Sequence, residues 1–565
     1  MRTPRTTSQG PQFAGWRPGG SRPRYAVVAE PDTRIPVDDG TVLVGDVYRP
    51  RTDEPQPALL GWSPYNKDLM PTGVPAPFNE PGDVTRLASR GYPVAVVNAR
   101  GTGRSGGTLP PRMFDESEIA DLRAVIGWIA GQPWCDGRVA MTGMSYFAIS
   151  QLVAAGHRMP GLAAIAPFGS ATDLYRMLVY HNGTLTSGFM GRYIAINGAA
   201  QRARLPAPVR NALGYVVGTR PAQAVVRRVM ARALPRMTRR LPVPEPWLAR
   251  WRAYALDAPL DGPSYRDASA WPLLPGIDIP VLLGTEWSMV GLHLFGTFEA
   301  WHRVPGPKRM FIGPRWSRWP FLRYQEEILA YYDHVLRGVD NGFDTLPAVR
   351  YWLHGAERWE GAADWPVPGA RPWRLAVSGD RLAARPGSAG QWWAAIPPGV
   401  EYPGAFDRHV VRYDTEPLAA DTEIVGPAHL TLRVSSTALD THVQARLSDL
   451  APDGTMSVVS VGWLLASHRA VDGDRSTVTE IVHDHTHAEP LPPGEPVVLR
   501  FSLTPFAQLV RAGHRLVLEL GSDPHRLAPP ADDYVYFGMA GPPYPARNTV
   551  HGAELELTVR GEPPW

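Results

Sequence analysis

The stretch Val139-Ala140-Met141-Thr142-Gly143-Met144-Ser145-Tyr146-Phe147-Ala148-Ile149-Ser150 decides the fold of this chain. Its first half is an apolar strand that runs into Gly143, and its second half predicts a helix. A serine between such a strand and helix is typical of a nucleophile elbow, a tight turn that lifts the hydroxyl above a sheet. The unpaired N–H groups of the helix N-terminus then face any oxyanion formed there. The stretch therefore predicts a serine hydrolase with Ser145 as its nucleophile.

The elbow departs from the usual Gly-x-Ser-x-Gly pattern at one position. Its fifth residue is Phe147 rather than glycine. A small residue is needed where the helix packs on the strand, and the sequence offers one a position later, at Ala148. We therefore expect Ala148 to make that close contact.

Around the elbow, short apolar runs alternate with helical periodicity. A hairpin is predicted over residues 25–50, with its turn at Asp39-Gly40, and a helix is predicted over residues 116–132. Further strands are predicted at residues 58–62, 92–98, 138–142, 162–167, 279–284 and 309–312, the last being the final strand of the sheet. Strands that alternate with helices predict an α/β fold with a parallel sheet.

A chain of 565 residues is too long for a single core, and its sequence pattern changes four times. Residues 1–24 lack an apolar segment and predict a disordered arm. Residues 25–172 and 271–345 form the predicted α/β domain, and residues 173–270 interrupt it with arginine-rich helices such as 222–240, which predict an inserted helical cap. From residue 371 to 565, β-rich runs between Pro/Gly turns, such as 429–434 and 515–520, predict a C-terminal β-sandwich or jelly roll.

Composition narrows the function classes. The net charge is only +3, so no nucleic-acid partner is expected, and no apolar run is long enough to predict a membrane span. Cys135 is the only cysteine, which excludes an intramolecular disulfide and a thiolate metal cluster and fits a reducing cytoplasm. We expect a cytoplasmic protein without a metal or other cofactor.

Several motifs around the elbow occur in an order that resembles a known family. They are Ser63-Pro64-Tyr65-Asn66-Lys67, Asn98-Ala99-Arg100-Gly101-Thr102-Gly103, Trp134-Cys135-Asp136-Gly137-Arg138, Asp173-Leu174-Tyr175-Arg176, Tyr331-Tyr332-Asp333-His334 and Arg511-Ala512-Gly513-His514. The chain resembles the cocaine-esterase/NonD hydrolases, relatives of the Xaa-Pro dipeptidyl-peptidases of serine peptidase family S15. The resemblance extends from about residue 25 to residue 559.

The resemblance implies an α/β-hydrolase domain, a helical cap and a C-terminal jelly roll. It also implies that Ser145 attacks an ester or amide. The Tyr65 hydroxyl and the backbone N–H of Tyr146 would form the oxyanion hole, which stabilises the charge that develops when serine attacks a carbonyl.

The family pattern breaks where the other two members of the triad belong. The family aspartate position falls on Ser288 or Met289, and a family Trp-Ser-His becomes Trp316-Ser317-Arg318. Arginine remains protonated at physiological pH and cannot act as a general base. Both usual partners of Ser145 are therefore missing from the sequence.

Three hypotheses follow for the function. In the first, another pair activates Ser145: His293 with Glu286 is the main candidate, and His181 in the cap is a second base or a substrate contact. In the second, the pocket binds an acyl ligand or catalyses a cyclisation, elimination or acyl transfer, with Arg315 or Arg318 anchoring a carboxylate or phosphate. In the third, the chain is an inactive scaffold.

The expected partner is a small ester, amide or acyl ligand, and the jelly-roll sheets would suit contacts between subunits of a homo-oligomer.

Overall fold

The computed structural model describes residues 19–72, 80–206, 208–209, 212, 243–315, 320–397, 408–523 and 539–564. Within them, two ten-stranded sheets each enclose an apolar core of their own. No helix in these ranges is both long and apolar enough to cross a bilayer.

The first part of the chain builds the centre of the α/β domain. Its strands are β1 (Val27–Pro36), β2 (Val42–Pro50), β3 (Gln56–Ser63), β4 (Val94–Asn98), β5 (Cys135–Met144) and β6 (Leu162–Phe168). Its helices are α1 (Val84–Ala88), α2 (Glu116–Ala130) and α3 (Tyr146–Gly156). The strands and helices predicted in this part of the chain, including the hairpin with its turn at Gly40, are confirmed.

Between β6 and the next strand of the sheet, the chain forms the cap. It contains a π-helical turn at Tyr175–Val179, a small hairpin of β7 (Tyr180–His181) and β8 (Thr184–Leu185), and three helices, α4 (Ser187–Ala200), α5 (Glu245–Ala255) and α6 (Pro263–Arg266). The arginine-rich helix predicted at residues 222–240 lies outside the described residues.

The chain then returns to complete the first sheet. It adds β9 (Val281–Glu286), helix α7 (Leu294–Arg303), β10 (Lys308–Gly313), helix α8 (Pro320–Arg337), β11 (Val349–Leu353) and β12 (Arg358–Ala362). The strand order is β1-β2-β4-β3-β5-β6-β9-β10-β11-β12, and the strands from β4 to β11 pair in parallel. The prediction that β10 is the final strand was wrong, because β11 pairs with it and β12 folds back on β11.

The C-terminal part is a second, largely antiparallel sheet. Its strands are β13 (Arg371–Ser378), β14 (Arg381–Ala383), β15 (Trp392–Ala395), β16 (Val410–Asp414), β17 (Thr422–Ser436), β18 (His442–Leu450), β19 (Met456–Leu465), β20 (Val497–Val510), β21 (Arg515–Gly521) and β22 (Ala546–Arg560). Their order is β19-β18-β21-β16-β14-β13-β22-β17-β20, with β15 paired to β22. The chain therefore combines an α/β-hydrolase-type sheet and helical cap with a β-rich C-terminal domain.

Part of the predicted N-terminal arm is anchored rather than disordered. The backbone N–H and the hydroxyl of Ser21 donate to the carboxylate of Asp333 on α8, at 2.6 and 2.8 Å. The N–H groups of Arg24 and Tyr25 bond to the carbonyl oxygen of Ser89. Residues 1–18 of the arm lie outside the described residues.

A buried ionic network joins the cap to the C-terminal domain. Arg176 donates to the carboxylates of Asp173 and Asp261, at 2.8 and 2.5 Å, and to the carbonyl oxygens of His483 and Asp484. Burial alone would raise the pKa of Asp173, but Arg176 and a second arginine lower it to about 2. Each charge is paired, which is the condition for burying charges without a large penalty.

Three buried histidines lie against this network, and they make folding sensitive to acid. Nδ1 of His468 lies 2.9 Å from Nδ1 of His485, and the ring of His483 follows at 5.8 Å from that of His485. Burial is the main cause that lowers the pKa of His468 and His483 to about 4 and that of His485 still further.

We expect acidification to destabilise the fold through these histidines. In the unfolded chain they would bind protons below about pH 6.5, whereas the folded protein keeps them neutral to about pH 4. The free energy of unfolding should therefore have its full value above pH 6.5 and decrease as the pH drops towards 4. Calorimetric unfolding between pH 4 and 8 measures this, and a melting temperature that stays constant over that interval would contradict it.

Candidate active site

Ser145 occupies a strained turn between β5 and α3. Its backbone has φ 60° and ψ −119°, a conformation that costs a non-glycine residue about 1–3 kcal/mol. Its N–H bonds to the carbonyl oxygens of Phe168 and Gly169 at the end of β6, both at 3.2 Å. The Ser145 side chain makes no capping bond to α3 and is partly exposed. The hydroxyl is therefore not used to cap the helix.

Glycines make room for Phe147 beneath this turn. A methyl group on Gly143, which has φ 127°, would lie 2.5 Å from Cβ of Phe147. A methyl group on Gly61, in the neighbouring β3, would lie 3.2 Å from the Phe147 ring. The sequence prediction placed the close contact at Ala148. The structure shows that Phe147 also lies close to the sheet, because glycines on two adjacent strands accommodate its ring. The close contact of Ala148 stays a prediction.

Tyr65 lies beside the elbow. It follows β3, is buried, and packs edge-to-face on the rings of Tyr146 and Phe147, at 5.9 and 6.1 Å between centroids. Burial, followed by the nearby charge of Glu80, raises the pKa of the Tyr65 phenol well above 10. The Tyr65 hydroxyl is consequently protonated at neutral pH, and a hydrogen bond with the Tyr193 hydroxyl is a further cause that raises its pKa.

Glu118 fixes Tyr146, the residue after the serine. The Glu118 carboxylate accepts bonds from the Tyr146 hydroxyl at 2.7 Å, from the Trp62 indole at 3.1 Å and from the Phe114 N–H at 2.9 Å. The Tyr146 side chain is thus fully committed to the protein. Its N–H belongs to the first turn of α3, where a helix offers no acceptor four residues back.

Comparison with known proteins agrees with this architecture. The sequence model of the X-Pro dipeptidyl-peptidase (S15) family matches residues 39–316, and that of the X-Pro dipeptidyl-peptidase C-terminal non-catalytic domain matches residues 341–554. The chain is therefore similar to the X-Pro dipeptidyl-peptidases of family S15 in both of its parts. It is accordingly a hydrolase of the serine esterase and peptidase type.

Individual relatives match most of this chain. The cocaine esterase of Rhodococcus sp. (strain MB1 Bresler) is 28% identical over 505 residues, which cover 79% of this chain and 84% of the relative. A protein of Mycobacterium bovis named as a serine esterase is 25% identical over 618 residues, which cover 95% of this chain and 96% of the relative. Among solved structures, a CocE/NonD family hydrolase from Staphylococcus aureus has a TM-score of 0.74 at 21% identity. The match covers 95% of this chain and 94% of that structure. An α-amino acid ester hydrolase has a TM-score of 0.69 at 16% identity, covering 99% and 100%.

His293 packs against Gly169, just after the end of β6. It is buried at the N-terminus of α7, and a methyl group on Gly169 would lie 3.6 Å from its imidazole ring. Gly169 is the residue whose carbonyl oxygen accepts the N–H of Ser145. Burial, with a smaller effect of His181, lowers the pKa of His293 to about 3. A histidine in this state is neutral but a weak base.

Glu286 is the acid that the sequence prediction gave to His293. It ends β9 and accepts bonds from the Tyr324 hydroxyl at 3.3 Å and the Ser288 hydroxyl at 3.5 Å. These two hydroxyls bond to Glu286, and its pairing with His293 stays a prediction.

The predicted substrate contacts have other partners. The Arg315 guanidinium donates to the carbonyl oxygens of Val458 and Val459 in β19, so it ties the α/β domain to the C-terminal sheet. His181 is buried, with Nε2 2.7 Å from the Met177 carbonyl oxygen and its ring stacked on Trp463. Burial lowers the pKa of His181 to about 4. Arg318 lies outside the described residues.

Four residues near the elbow were missed by the sequence prediction. They are Glu80, Glu118, Tyr193 and Arg250. Glu118 had a signal, because it lies three residues after Asp115, which caps α2 through its carboxylate. The others lie on a loop and two cap helices whose positions over the elbow follow from tertiary structure alone.

Proposed function

We propose that the chain hydrolyses small esters or amides through Ser145, with the Tyr65 hydroxyl and the Tyr146 N–H as oxyanion hole. The observation that supports this most strongly is the strained backbone of Ser145, with φ 60°, at the turn between β5 and α3. Such strain persists only where the surrounding structure holds it, and it is concentrated at functional sites. The names of the relatives, which include a cocaine esterase and serine esterases, point to the same chemistry.

The chemical steps follow from the positions of these groups. The Ser145 oxygen attacks the carbonyl carbon, and its proton passes to a base. The resulting oxyanion accepts bonds from the protonated Tyr65 and from the first turn of α3. Collapse of this intermediate expels the alcohol or amine and leaves an acyl-serine, which water then hydrolyses.

Product analysis tests hydrolysis against acyl transfer and other chemistry. A series of 4-nitrophenyl esters with acyl chains of two to eight carbons is incubated with the protein in H₂¹⁸O. We expect enzyme-dependent release of nitrophenol and one ¹⁸O atom in the acid product. Absence of turnover across the series and with the matching anilides, or an acyl product without ¹⁸O, would contradict the proposal.

A cytoplasmic location is also proposed. Cys135 is a free, buried thiol, and the network between the cap and the C-terminal domain relies on ion pairs and hydrogen bonds. Unpaired cysteine is the usual state in a reducing compartment. Cell fractionation with an antibody to the chain, with markers for each compartment, tests the location, and recovery in the extracellular fraction would contradict it.

A further inference from the structure

The ring of Tyr65 lies between the helix that follows the nucleophile and a helix of the cap. It packs edge-to-face on Tyr146 of α3, at 5.9 Å between ring centroids, and on Tyr193 of α4, at 6.1 Å. Tyr65 is buried, with 3% of the residue exposed. The cap helix α4 is therefore in direct contact with the ring that carries the proposed oxyanion donor.

Gln201 joins the end of α4 to the chain just before Tyr65. Its amide Nε2 donates to the carbonyl oxygen of Pro64 at 3.3 Å and to that of Asn197, one turn back in α4, at 3.0 Å. Its Oε1 accepts the N–H of Gly103 at 2.7 Å. One side chain thus joins the cap helix to the loops that follow β3 and β4.

Asn66 bonds to the same end of α4 from the other side of Tyr65. Its Nδ2 donates to the carbonyl oxygens of Ala200 and Ala203, at 2.8 and 3.0 Å. The last carbonyl groups of a helix have no N–H partner within the helix, and here a distant part of the chain supplies one. Asn66 is 2% exposed, so these bonds are shielded from water. The residues before and after Tyr65 are therefore both bonded to one turn of the cap.

Asn98, at the end of β4, holds the main chain of Tyr65 itself. Its Nδ2 donates to the Tyr65 carbonyl oxygen, and its Oδ1 accepts the N–H of Lys67 at 3.4 Å. Asn98 is fully buried. Each residue from 64 to 67 is thus bonded to the end of α4 or to the end of β4, so these two elements fix the backbone that carries the Tyr65 ring.

We propose that Gln201 and Asn66 are positioning residues, through which the cap helix α4 fixes the Tyr65 hydroxyl at the oxyanion hole. This inference rests on the role of Tyr65 in the proposed function. A donor stabilises an oxyanion only when it is already held at hydrogen-bond distance, and a displacement of about 1 Å can cost 10²-fold in rate. Both residues act through the main chain beside Tyr65, without touching the substrate.

A double-mutant cycle between Gln201→Met and Tyr65→Phe tests the proposal. Methionine is similar in length to glutamine but cannot form the bonds of the amide, and Gln201 is only half-buried, so the variant should fold. We expect Q201M to lower kcat for a 4-nitrophenyl ester by about tenfold when Tyr65 is present, and by less than about twofold in the Tyr65→Phe background. KM should change little, because the donor acts mainly in the transition state.

Gln132→Met is the matched control. Gln132 follows α2, is half-buried like Gln201, and donates through Nε2 to the carbonyl oxygen of Trp128, one turn back, at 3.0 Å. It reproduces the bond of Gln201 to its own helix, without a described bond to the loop that carries Tyr65. Q132M should keep the wild-type kcat when Tyr65 is present and should not alter the kcat of Tyr65→Phe.

Asn66→Asp tests the bonds on the other side of Tyr65. Aspartate keeps an acceptor for the N–H of Asp68, which bonds to Oδ1 of Asn66 at 3.1 Å, but it cannot donate to α4. We expect N66D to lower kcat only when Tyr65 is present, as Q201M does. A loss that is equal with and without the Tyr65 hydroxyl would overturn the role of Asn66.

The outcomes separate this inference from the proposed function. An equal loss of kcat in both backgrounds, or no loss in Gln201→Met, would show that Gln201 does not act through the Tyr65 hydroxyl and would overturn the inference. A wild-type kcat in Tyr65→Phe alone would instead overturn the oxyanion role of Tyr65 in the proposed function.

Discussion

Replacing Ser145 by alanine is expected to lower kcat/KM for ester hydrolysis by about 10⁴-fold or more. The substitution removes the only oxygen that the proposal allows to form the acyl-enzyme, while the oxyanion hole and the pocket remain. It should not reduce stability, because Ser145 makes no capping bond and alanine leaves no unpaired buried group. Steady-state kinetics with a 4-nitrophenyl ester, together with a thermal melt, measure both effects.

Ser150→Ala is the matched control for this prediction. Ser150 lies one turn further along α3, is fully buried, and donates to backbone carbonyl oxygens. Its loss should cost some stability and leave kcat/KM within a few-fold of the wild type. Activity in Ser145→Ala close to that of Ser150→Ala would show that a different nucleophile performs the reaction.

Tyr65→Phe should reduce kcat by about 10²–10³-fold, the usual effect of removing one oxyanion-hole donor. The ring would keep its edge-to-face contacts with Tyr146 and Phe147, so packing changes little. Since the donor acts mainly on charge that develops in the transition state, KM should change much less than kcat. Kinetics at saturating and limiting substrate separate the two parameters.

Tyr331→Phe controls for the loss of a buried phenol hydroxyl. Tyr331 lies on α8, and its hydroxyl has no hydrogen-bond partner among the described residues. Its removal should leave kcat unchanged. A rise in KM without a fall in kcat for Tyr65→Phe would contradict the oxyanion role and would indicate a contact that only binds substrate.

The sequence predicted the elbow because strand and helix signals are local. The apolar run before Gly143 and the helical period after Ser145 are both visible within a few neighbouring residues. The position of the turn between them could therefore be predicted at Ser145. The final strands were harder. β11 and β12 follow α8 in short runs, and nothing local indicates that they extend the first sheet rather than begin the second.

The residues around Ser145 could be predicted only where they are close to the elbow in sequence or belong to a recognisable motif. Tyr65 was found through its motif, and the structure places its ring against the elbow. The pairing of His293 with Glu286 was inferred from their shared loop and stays a prediction. The hydrogen bonds from Tyr324 and Ser288 to Glu286 had no signal in the sequence, because they depend on tertiary packing. Glu80 gave no signal, because a loop without periodicity brings it to Met144 from more than sixty residues away.

Covalent modification of Ser145 tests the central claim most directly. The full-length protein is treated with a fluorophosphonate probe at several pH values from 6 to 9, and intact mass followed by peptide mapping locates the adduct. We predict one adduct per chain, on Ser145 in the peptide that spans β5 and α3, and none in Ser145→Ala. An unmodified wild type at every pH, or an adduct that persists in Ser145→Ala, would contradict the assignment of Ser145 as an activated nucleophile.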